Sequence, residues 1–222
     1  MPVNKENFAA IVAEAHTKNV TLIAVSKTKP VSDINELYNM GHRDFGENYV
    51  QELVDKQKEL PQDIRWHFIG HLQSNKVKYI APFIHLIHGI DSFSLLKEVD
   101  KRGKQNNRVI PVLLQMHIAK EETKFGLDEE EITETLKLAK AANLGYVQIN
   151  GLMGMASNTT EKEVIKNEFQ FLKKCFDIHK KDNTTFSVLS MGMSNDYTIA
   201  LEEDSTAIRI GSLLFGERSN NK

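Results

Sequence analysis

The sequence predicts an α/β fold, a single (β/α)8 barrel of the TIM type, on the basis of three observations. Short apolar runs alternate with segments of helical spacing along the chain, and eight such runs are present. Strand–helix alternation is typical of a parallel sheet, and eight units close into a barrel of about 250 residues. The chain has 222 residues, 41% of them hydrophobic, which is enough for one core. We expect a single domain over 1–222, frayed at 218–222.

The elements follow in chain order. The predicted strands are residues 21–26, 43–45, 65–69, 84–90, 109–117, 146–152, 185–189 and 207–210. Helical spacing is clearest at 32–40, 128–142 and 161–179. For the first of these helices, Ser32 is the expected N-cap and Gly41 the expected stop signal. The acidic residues 128–131 are expected to form a solvated helix N-terminus.

A doubly wound open sheet is the alternative architecture. It is less favoured because no Gly-x-Gly-x-x-Gly fingerprint follows the first predicted strand. The candidate functional residues also follow many strands, whereas an open sheet gathers them at one crossover point.

Composition argues against several classes of partner. A formal net charge of −2 gives no basic surplus for nucleic acid. No run approaches the ~18 apolar residues of a membrane span, and the first ten residues lack the core of a signal peptide. The one cysteine, Cys175, cannot form an internal disulfide, which suits a reducing compartment. We expect a cytoplasmic protein with no nucleic-acid or membrane partner, in which Cys175 is a buried structural thiol.

Lys27 is the first candidate for a reactive group, in the segment 24–30 (AVSKTKP) at the end of the first strand. Barrel active sites lie at the C-terminal ends of the strands, where side chains alternate inward and outward. Lys29 shares the parity of Lys27 but lies in the turn before Pro30, so Lys27 is better placed to face the barrel mouth. A lysine among apolar walls loses proton affinity and becomes a usable nucleophile. The alternative is a solvated lysine that closes a strand, which is the commoner role of lysines.

The loops after the last two strands predict an anion site. In barrels, a phosphate often binds after strands seven and eight. The segment 190–194 (SMGMS) supplies hydroxyls and a flexible backbone, and Gly211 and Ser212 follow the eighth strand. Arg209 has two readings: it pairs with an acidic residue inside the barrel, or it donates a hydrogen bond to a heteroaromatic nitrogen.

Polar residues also accompany the second and third strands. His67 and His71 are four apart, but on a strand and turn this spacing does not make a metal pair, so no metal site is expected. We expect His67 inside the barrel and His71 at the strand exit, facing a ligand. The segment 46–48 is interpreted as a turn and helix start, in which Asn48 either caps the helix or reaches into the mouth.

Taken in order, these segments resemble the pyridoxal phosphate homeostasis protein family along nearly the whole chain. The block 67–76 (HFIGHLQSNK) is close to the signature of that family, and 24–30 is nearly as specific. Further matching segments stand at 45–48, 151–153, 190–196 and 209–216.

The resemblance implies a barrel like the N-terminal domain of alanine racemase, with pyridoxal 5′-phosphate (PLP) as cofactor. It implies that Lys27 holds PLP as a Schiff base, the internal aldimine, and that Arg209 lies near the pyridine nitrogen. It also implies two further sets of contacts: Ser194, Gly211 and Ser212 around the phosphate, and Asn48 and His71 near the ring or its lysine.

The function that the resemblance implies is intracellular PLP homeostasis without turnover, in which the chain holds PLP and hands it to apo-PLP enzymes or limits its free level. The alternative is a PLP-dependent amino-acid racemase or decarboxylase. Alanine racemase takes its second base from a C-terminal domain of the partner subunit, and this chain ends as the eighth unit is completed. An arginine at the ring nitrogen also leaves the ring a poor electron sink, because guanidinium only donates.

We therefore expect a binding protein, not an enzyme, and a monomer, since the dimer interface of such a second domain is missing. A phosphosugar-type barrel enzyme without cofactor is a third reading, but it leaves Lys27 without a defined role. The roles of Gln115, His117 and His88 stay open.

Overall fold

Eight parallel strands form a closed barrel in a computed structural model of the chain, with helical segments between consecutive strands. The structure describes residues 3–121 and 125–216, so the expected fraying of 218–222 lies outside the described residues. In chain order, the strands are β1 (Thr21–Val25), β2 (Asp44–Glu47), β3 (Arg65–Phe68), β4 (Leu86–Ile90), β5 (Ile110–Met116), β6 (Val147–Gly154), β7 (Val188–Met193) and β8 (Ala207–Ile210).

The helices surround this barrel. They are α1 (Lys5–Thr17), α2 (Val31–Asn39), α3 (Val50–Glu59), α4 (Val77–Ile80), α5 (Phe93–Gln105), α6 (Glu129–Ala141), α7 (Lys162–Lys180), α8 (Tyr197–Glu202) and α9 (Ser212–Phe215), and a 3-10 turn at Ser74–Lys76 precedes α4. The sequence pattern did not include α1, which precedes the first strand.

Closure of the barrel brings the two ends of the chain together. In β1, Ala24 aligns with Phe45 of β2 on one side and with Ile210 of β8 on the other. The prediction of a (β/α)8 barrel is therefore confirmed, and the open sheet is excluded. As a result, the segments after β1 and β8, which are almost 200 residues apart in sequence, lie side by side.

The predicted strand at 207–210 has the bounds of β8, whereas the other predicted strands differ from the structure at one or both ends, and two of these differences bear on the site. The segment around Gly46 and Glu47 was expected to be a turn, but both residues belong to β2 and are buried. A carboxylate tolerates this position because Glu47 pairs with the buried ammonium of Lys56. The seventh strand, expected at 185–189, runs instead through Ser190 to Met193, so most of the expected loop is strand.

The ends of α2 and α6 have the residues expected from the sequence, except at the start of α2. Pro30 occupies the N-cap position of α2, and Ser32 lies inside the helix, so the expected Ser32 cap is wrong. Proline suits this place because its fixed φ and missing N–H cost nothing before the first turn. Gly41 does follow the helix with φ +95°, as a stop signal should. Asp128 caps α6 through a capping box with Glu131, which confirms the acidic helix start.

The main core lies between the barrel and its helices. In α7, Ile165, Phe169 and Leu172 are buried against it, and Cys175 continues the same face. Burial raises the pKa of the Cys175 thiol to about 11, so the group stays protonated at neutral pH. Cys175 is thus a structural thiol, as expected. Among the described residues, no helix combines the length and the apolar character that crossing a membrane would require.

Candidate functional site

A cavity of about 470 Å³ opens where the barrel strands end. This volume lies in the range of about 300–1,000 Å³ that is usual for small-molecule sites. Its wall combines residues at or after the ends of β1, β2, β3, β6, β7 and β8. The residues predicted for a ligand site and found in its wall are Lys27, Asn48, Ser194, Arg209, Gly211 and Ser212.

The turn that carries Lys27 stands on a buried group of charges, which we call the ionic cluster: Ser26, Glu47, Glu52 and Lys56. The Lys56 ammonium donates to Glu47 Oε1 at 2.8 Å, to Glu52 Oε1 at 2.6 Å and to the carbonyl of Ser26 at 2.7 Å. The Ser26 hydroxyl donates to the same Glu47 oxygen at 2.6 Å. All three donor positions of the ammonium are used, which fixes the backbone directly before Lys27.

The same cluster supports the residue after Lys27. The Thr28 N–H donates to Glu52 Oε1, and Thr28 has φ +64°, a left-handed conformation that is rare for a β-branched residue. Lys27 is thus held in a sharp turn between two residues bonded to one cluster. Sequence reasoning missed these supports, although the spacing of Glu52 and Lys56, four apart on α3, is visible in the sequence.

Burial raises the pKa of Glu47, against the opposing pull of Lys56. One Glu47 oxygen, Oε2, has no hydrogen-bond partner among the described residues. Loss of Lys56 would therefore leave the buried Glu47 carboxylate without its charged partner, whereas loss of Glu47 would leave Lys56 paired with Glu52.

Asn48 follows β2 and reaches the cavity wall, in agreement with the second of its two predicted roles. The cap position of α3 is held by Tyr49. The Asn48 side-chain oxygen is buried and accepts no hydrogen bond from the described residues. Its backbone is pressed against Gly70, where an added Cβ would lie 2.5 Å from the Asn48 carbonyl oxygen. An immobilised, unsatisfied acceptor in a cavity wall is suited to a donor on a ligand.

The loops after β7 and β8 meet at the opposite wall. The Gly211 N–H donates to Ser194 Oγ at 3.2 Å, which joins the two loops. A Cβ on Gly211 would make only ordinary contacts with Val25, at 3.4 Å or more, and its φ is −118°. The protein's own packing thus does not demand glycine here, and the absence of a Cβ leaves the Gly211 backbone accessible to a ligand. Ser212 and Gly216 continue the wall.

Arg209 lies at the base of the cavity and is 4% exposed. Its guanidinium donates to Ser190 Oγ at 2.6 Å and to the Gly154 carbonyl at 3.0 Å. Burial lowers its pKa to about 10, with the Asp196 carboxylate acting in the opposite direction, so the side chain remains a cation at neutral pH. Two of the five N–H donors of an arginine are accounted for by these bonds.

The segment after β6 is a part of the wall that sequence reasoning did not identify. Residues 155–159 line the cavity. Glu168 of α7 holds this segment, because its carboxylate accepts from both the N–H and the hydroxyl of Ser157, at 2.7 and 2.6 Å. The available signal was Glu168, a glutamate that is buried on the apolar face of α7.

His71 lies apart from this cavity. Its side chain is 44% exposed, contacts Asp91 at 3.1 Å and stacks on the Phe125 ring at 4.3 Å. The expected contact of His71 with a ligand therefore stays a prediction. Two of the open side chains serve nearby loops, since Gln115 donates to the Phe125 carbonyl at 2.8 Å and His117 contacts the Glu121 carbonyl at 2.9 Å.

Comparison with known proteins agrees with this geometry. Residues 4–219 match the family model described as the N-terminal domain of alanine racemase. The pyridoxal phosphate homeostasis protein of Aquifex aeolicus is 41% identical over 199 residues, which is 89% of this chain and 86% of that one. The chain belongs to the pyridoxal phosphate homeostasis protein family.

Two solved structures extend the comparison. PipY of Synechococcus elongatus PCC7942, with PLP bound, is 34% identical and superposes with a TM-score of 0.86, over 95% of this chain and 99% of that chain. Alanine racemase of Clostridium difficile 630 superposes with a TM-score of 0.76 at 12% identity, over 100% of this chain and 60% of that chain. At such low identity, the second likeness shows the fold alone.

Proposed function

We propose that this chain binds PLP in the cavity at the strand ends and serves PLP homeostasis as a binding protein. The observation that carries the proposal is the meeting of an amine, Lys27, with a cation, Arg209, and two joined loops, at Ser194 and Gly211, in one cavity. Relatives named pyridoxal phosphate homeostasis protein and a neighbour with PLP bound support it.

The residues of the cavity suit the parts of PLP. The Lys27 amine condenses with the aldehyde of PLP, so that a C=N bond forms and water leaves. Arg209 donates to the pyridine nitrogen, and the Ser194 and Ser212 hydroxyls with the Gly211 amide hold the phosphate. The unsatisfied oxygen of Asn48 accepts from a donor on the ring side of the ligand.

The same residues support holding PLP rather than turning over an amino acid. When bound, PLP would supply an electron sink for carbanion chemistry, and an unprotonated ring nitrogen makes that sink weaker. A guanidinium that is already bonded to two acceptors donates to that nitrogen and does not protonate it. A racemase or decarboxylase remains the alternative that the kinetic test below addresses.

Borohydride reduction tests the site. We expect the PLP-loaded chain to be yellow and, after reduction, to carry the pyridoxyl group on the Lys27 peptide in mass spectrometry. Lys27→Ala should abolish this label. Lys29→Ala is the matched control, because Lys29 also lines the cavity but donates to the Phe215 carbonyl at 2.7 Å. A label on Lys29, or none on the wild type, would refute the assignment.

Affinity measurements test the phosphate loops. We expect Ser194→Ala and Ser212→Ala each to weaken PLP binding by roughly tenfold, since hydrogen bonds to charged groups contribute about 1.5–3 kcal/mol. The label on Lys27 should persist in both variants, because neither change touches the amine. If the affinity is unchanged in both, the phosphate does not lie there.

Transfer and turnover assays test the role. We propose apo-PLP enzymes as recipients, and a monomeric, cytoplasmic chain in which residues 1–222 act as one PLP-binding domain. Transfer of PLP to an apo-enzyme should exceed transfer from free PLP when a trap removes the free aldehyde. Sedimentation should give the mass of one chain. Racemisation or decarboxylation of an amino acid at ordinary enzyme rates, lost in Lys27→Ala, would establish the enzyme alternative.

A further inference from the structure

A line of buried polar side chains leads away from Arg209 through the inside of the barrel; we call Ser190, His88, His67 and Asp44 the polar chain. The Ser190 hydroxyl lies 2.6 Å from the Arg209 nitrogen and 3.0 Å from His88 Nδ1. His88 Nε2 is 3.0 Å from His67 Nδ1, and His67 Nε2 is 3.1 Å from Asp44 Oδ1. Every member is less than 10% exposed.

The polar chain crosses the barrel from one wall to the other. His88 belongs to β4 and Ser190 to β7, and these strands are not neighbours in the barrel, so their hydrogen bond spans the interior. At the far end, Asp44 is the first residue of β2, at the opposite end of the strands from the cavity. There it forms a salt bridge with Arg65, the first residue of β3.

The direction of the hydrogen bonds follows from the possible donors. Arg209 only donates, so Ser190 accepts from it, and among the described residues the one remaining partner for the Ser190 proton is His88 Nδ1. His88 must then carry its own proton on Nε2 and donate to His67 Nδ1. His67 in turn carries its proton on Nε2 and donates to Asp44.

The opposite arrangement leaves a buried group unsatisfied. If His67 were doubly protonated, His88 would have to donate to Ser190, and the Ser190 proton would have no acceptor among the described residues. Burial lowers the pKa of His88 well below its ordinary value, with the charge of Arg209 acting in the same direction, in agreement with a neutral ring. Asp44 already forms a salt bridge with Arg65, so its carboxylate does not need a cationic His67 as a second partner.

We propose that the polar chain positions Arg209: its one-directional hydrogen bonds turn the guanidinium towards the cavity, where the arginine recognises an unprotonated pyridine nitrogen. The inference rests on the proposed function and gives His88, whose role was open, a part in it. Neutral acceptors suit this task, because a carboxylate at the place of Ser190 would form an ion pair with Arg209 and compete with a ligand for its donors.

A metal site is the other reading of the far end, where ligand atoms of Asp44, His67 and His85 lie within 4.8 Å of one another. Both Asp44 oxygens, however, accept hydrogen bonds from Arg65, at 2.7 Å from Nε and 2.5 Å from the terminal nitrogen. A cation would have to displace a guanidinium, so the ion pair is the better description of this cluster.

The direction of the polar chain is measurable without PLP. Nitrogen-15 NMR of the histidine rings distinguishes the two neutral tautomers and the cation. At pH 7 we expect His67 and His88 both to be neutral and protonated on Nε2, with the signals assigned through His67→Gln and His88→Gln. A His88 ring protonated on Nδ1, or a cationic His67, would refute the direction.

The positioning of Arg209 is tested with two ligands that differ in one atom. We expect Ser190→Ala to weaken the binding of PLP by roughly tenfold, since it removes a bond to a charged group, and to leave the binding of 1-deaza-PLP within about twofold. The matched control is Ser205→Ala, a buried hydroxyl bonded to the Met191 carbonyl at 2.9 Å and outside the polar chain. It should change neither affinity beyond about twofold, although it costs a comparable hydrogen bond.

The outcomes separate the two proposals. A wild-type chain that binds neither ligand refutes the proposed function and the positioning that rests on it. A wild-type chain that binds PLP, with a Ser190→Ala variant that loses both ligands equally, refutes the positioning alone and makes Ser190 a structural residue. Loss of affinity for PLP only, with the expected tautomers, supports the inference.

Discussion

The ionic cluster and the polar chain are both buried and both support one cavity, yet they are built from different chemistry. The ionic cluster contains one ammonium and two carboxylates within hydrogen-bond distance, packed beneath the turn of Lys27. The polar chain places two neutral imidazoles and a hydroxyl between charges that lie at its ends, Arg209 and Asp44.

This difference corresponds to what each support has to hold. The ionic cluster fixes backbone, through the Ser26 carbonyl and the Thr28 amide, around an amine that must remain available. The polar chain orients a side chain that must keep its donors for a ligand, so it brings no additional charge to Arg209. Removal of one member of a buried ion pair leaves the other charge uncompensated, whereas loss of one bond in the polar chain leaves a neutral buried group without its partner.

The largest expected effect comes from removing the ammonium of the ionic cluster. Lys56→Met should lower the free energy of unfolding by about 3–5 kcal/mol, because Glu47 is left buried without its partner. Urea denaturation measures it. Lys5→Met is the control, since Lys5 pairs with Glu36 at the surface and should cost no more than about 1 kcal/mol. Equal losses of stability in the two variants would show that the Lys56–Glu47 pair contributes no more than an exposed ion pair.

A steric change next to the ionic cluster should have the next largest effect. In Gly70→Ala, the new Cβ would meet the Asn48 backbone, so we expect a loss of about 1–3 kcal/mol of stability and weaker PLP binding. Gly103→Ala creates a similar clash in α5, 2.4 Å from the Tyr146 carbonyl oxygen and away from the cavity. It should lower stability but leave PLP affinity unchanged. If both variants bind PLP equally well, Gly70 does not position Asn48.

The two supports should also differ in their response to pH. The pKa of His88 is lowered in the folded chain, mainly by burial, and that of His85 is lowered to about 4 for the same first reason. In the unfolded chain, the histidine pKa values are about 6.5, so this state binds more protons than the folded chain below that pH. The free energy of unfolding therefore falls as the pH drops from 7 to 5. The charge of Arg209, which lies near His88, opposes its protonation further.

The measurement is the melting temperature at pH 7, 6 and 5, where each kcal/mol lost lowers it by roughly 2–4 °C in a chain of this size. His88→Gln should flatten this dependence, because it removes the fully buried ring whose pKa is lowered. The raised pKa of Glu47 acts in the opposite direction, because a folded state that binds its proton more tightly gains stability as the pH falls. If the melting temperature rises towards pH 5, Glu47 contributes more to the pH dependence of stability than the histidines do.

The smallest expected effect concerns the turn itself. Thr28→Gly should raise the free energy of unfolding by up to about 1 kcal/mol, because glycine accepts φ +64° without the clash of a Cβ. Asn19→Gly, at φ +55°, is the matched control and should gain less, since asparagine tolerates this region. Destabilisation by Thr28→Gly would mean that the threonine side chain itself supports the Lys27 turn.

The sequence was sufficient for the barrel and for much of the cavity, for physical reasons that the residues make clear. Hydrophobic periodicity and turn residues are local signals, so the alternation of strands and helices can be predicted from the sequence. The C-terminal ends of the strands in a barrel all lie on one side. Lys27, Arg209 and Gly211 could therefore be assigned to one mouth before any coordinates. His71 was assigned by the same rule, but its side chain turned to Asp91 and Phe125.

The supports could not be predicted, because they depend on tertiary contacts. The ionic cluster joins the segment after β1 to β2 and α3, and the polar chain crosses the barrel. Lys56 lies on a charged helix whose sequence gives no sign that its ammonium enters the protein. His88 and Ser190 are separated by 102 positions and meet only because the barrel closes. A buried glutamate such as Glu47 contradicts the usual preference of glutamate for exposure, so its place in a buried strand is not predictable from the sequence.

Closure of the barrel between β1 and β8 has a consequence for the synthesis and folding of the protein. Lys27 is synthesised early, but Arg209 and Ser212 come from the last strand and the helix after it. A nascent chain on the ribosome thus contains Lys27 long before it contains Arg209 and Ser212, so the proposed PLP site is completed only by the closing strand. PLP therefore cannot serve as a template for early folding. We expect PLP to slow the unfolding of the finished barrel and to leave the rate of barrel formation unchanged.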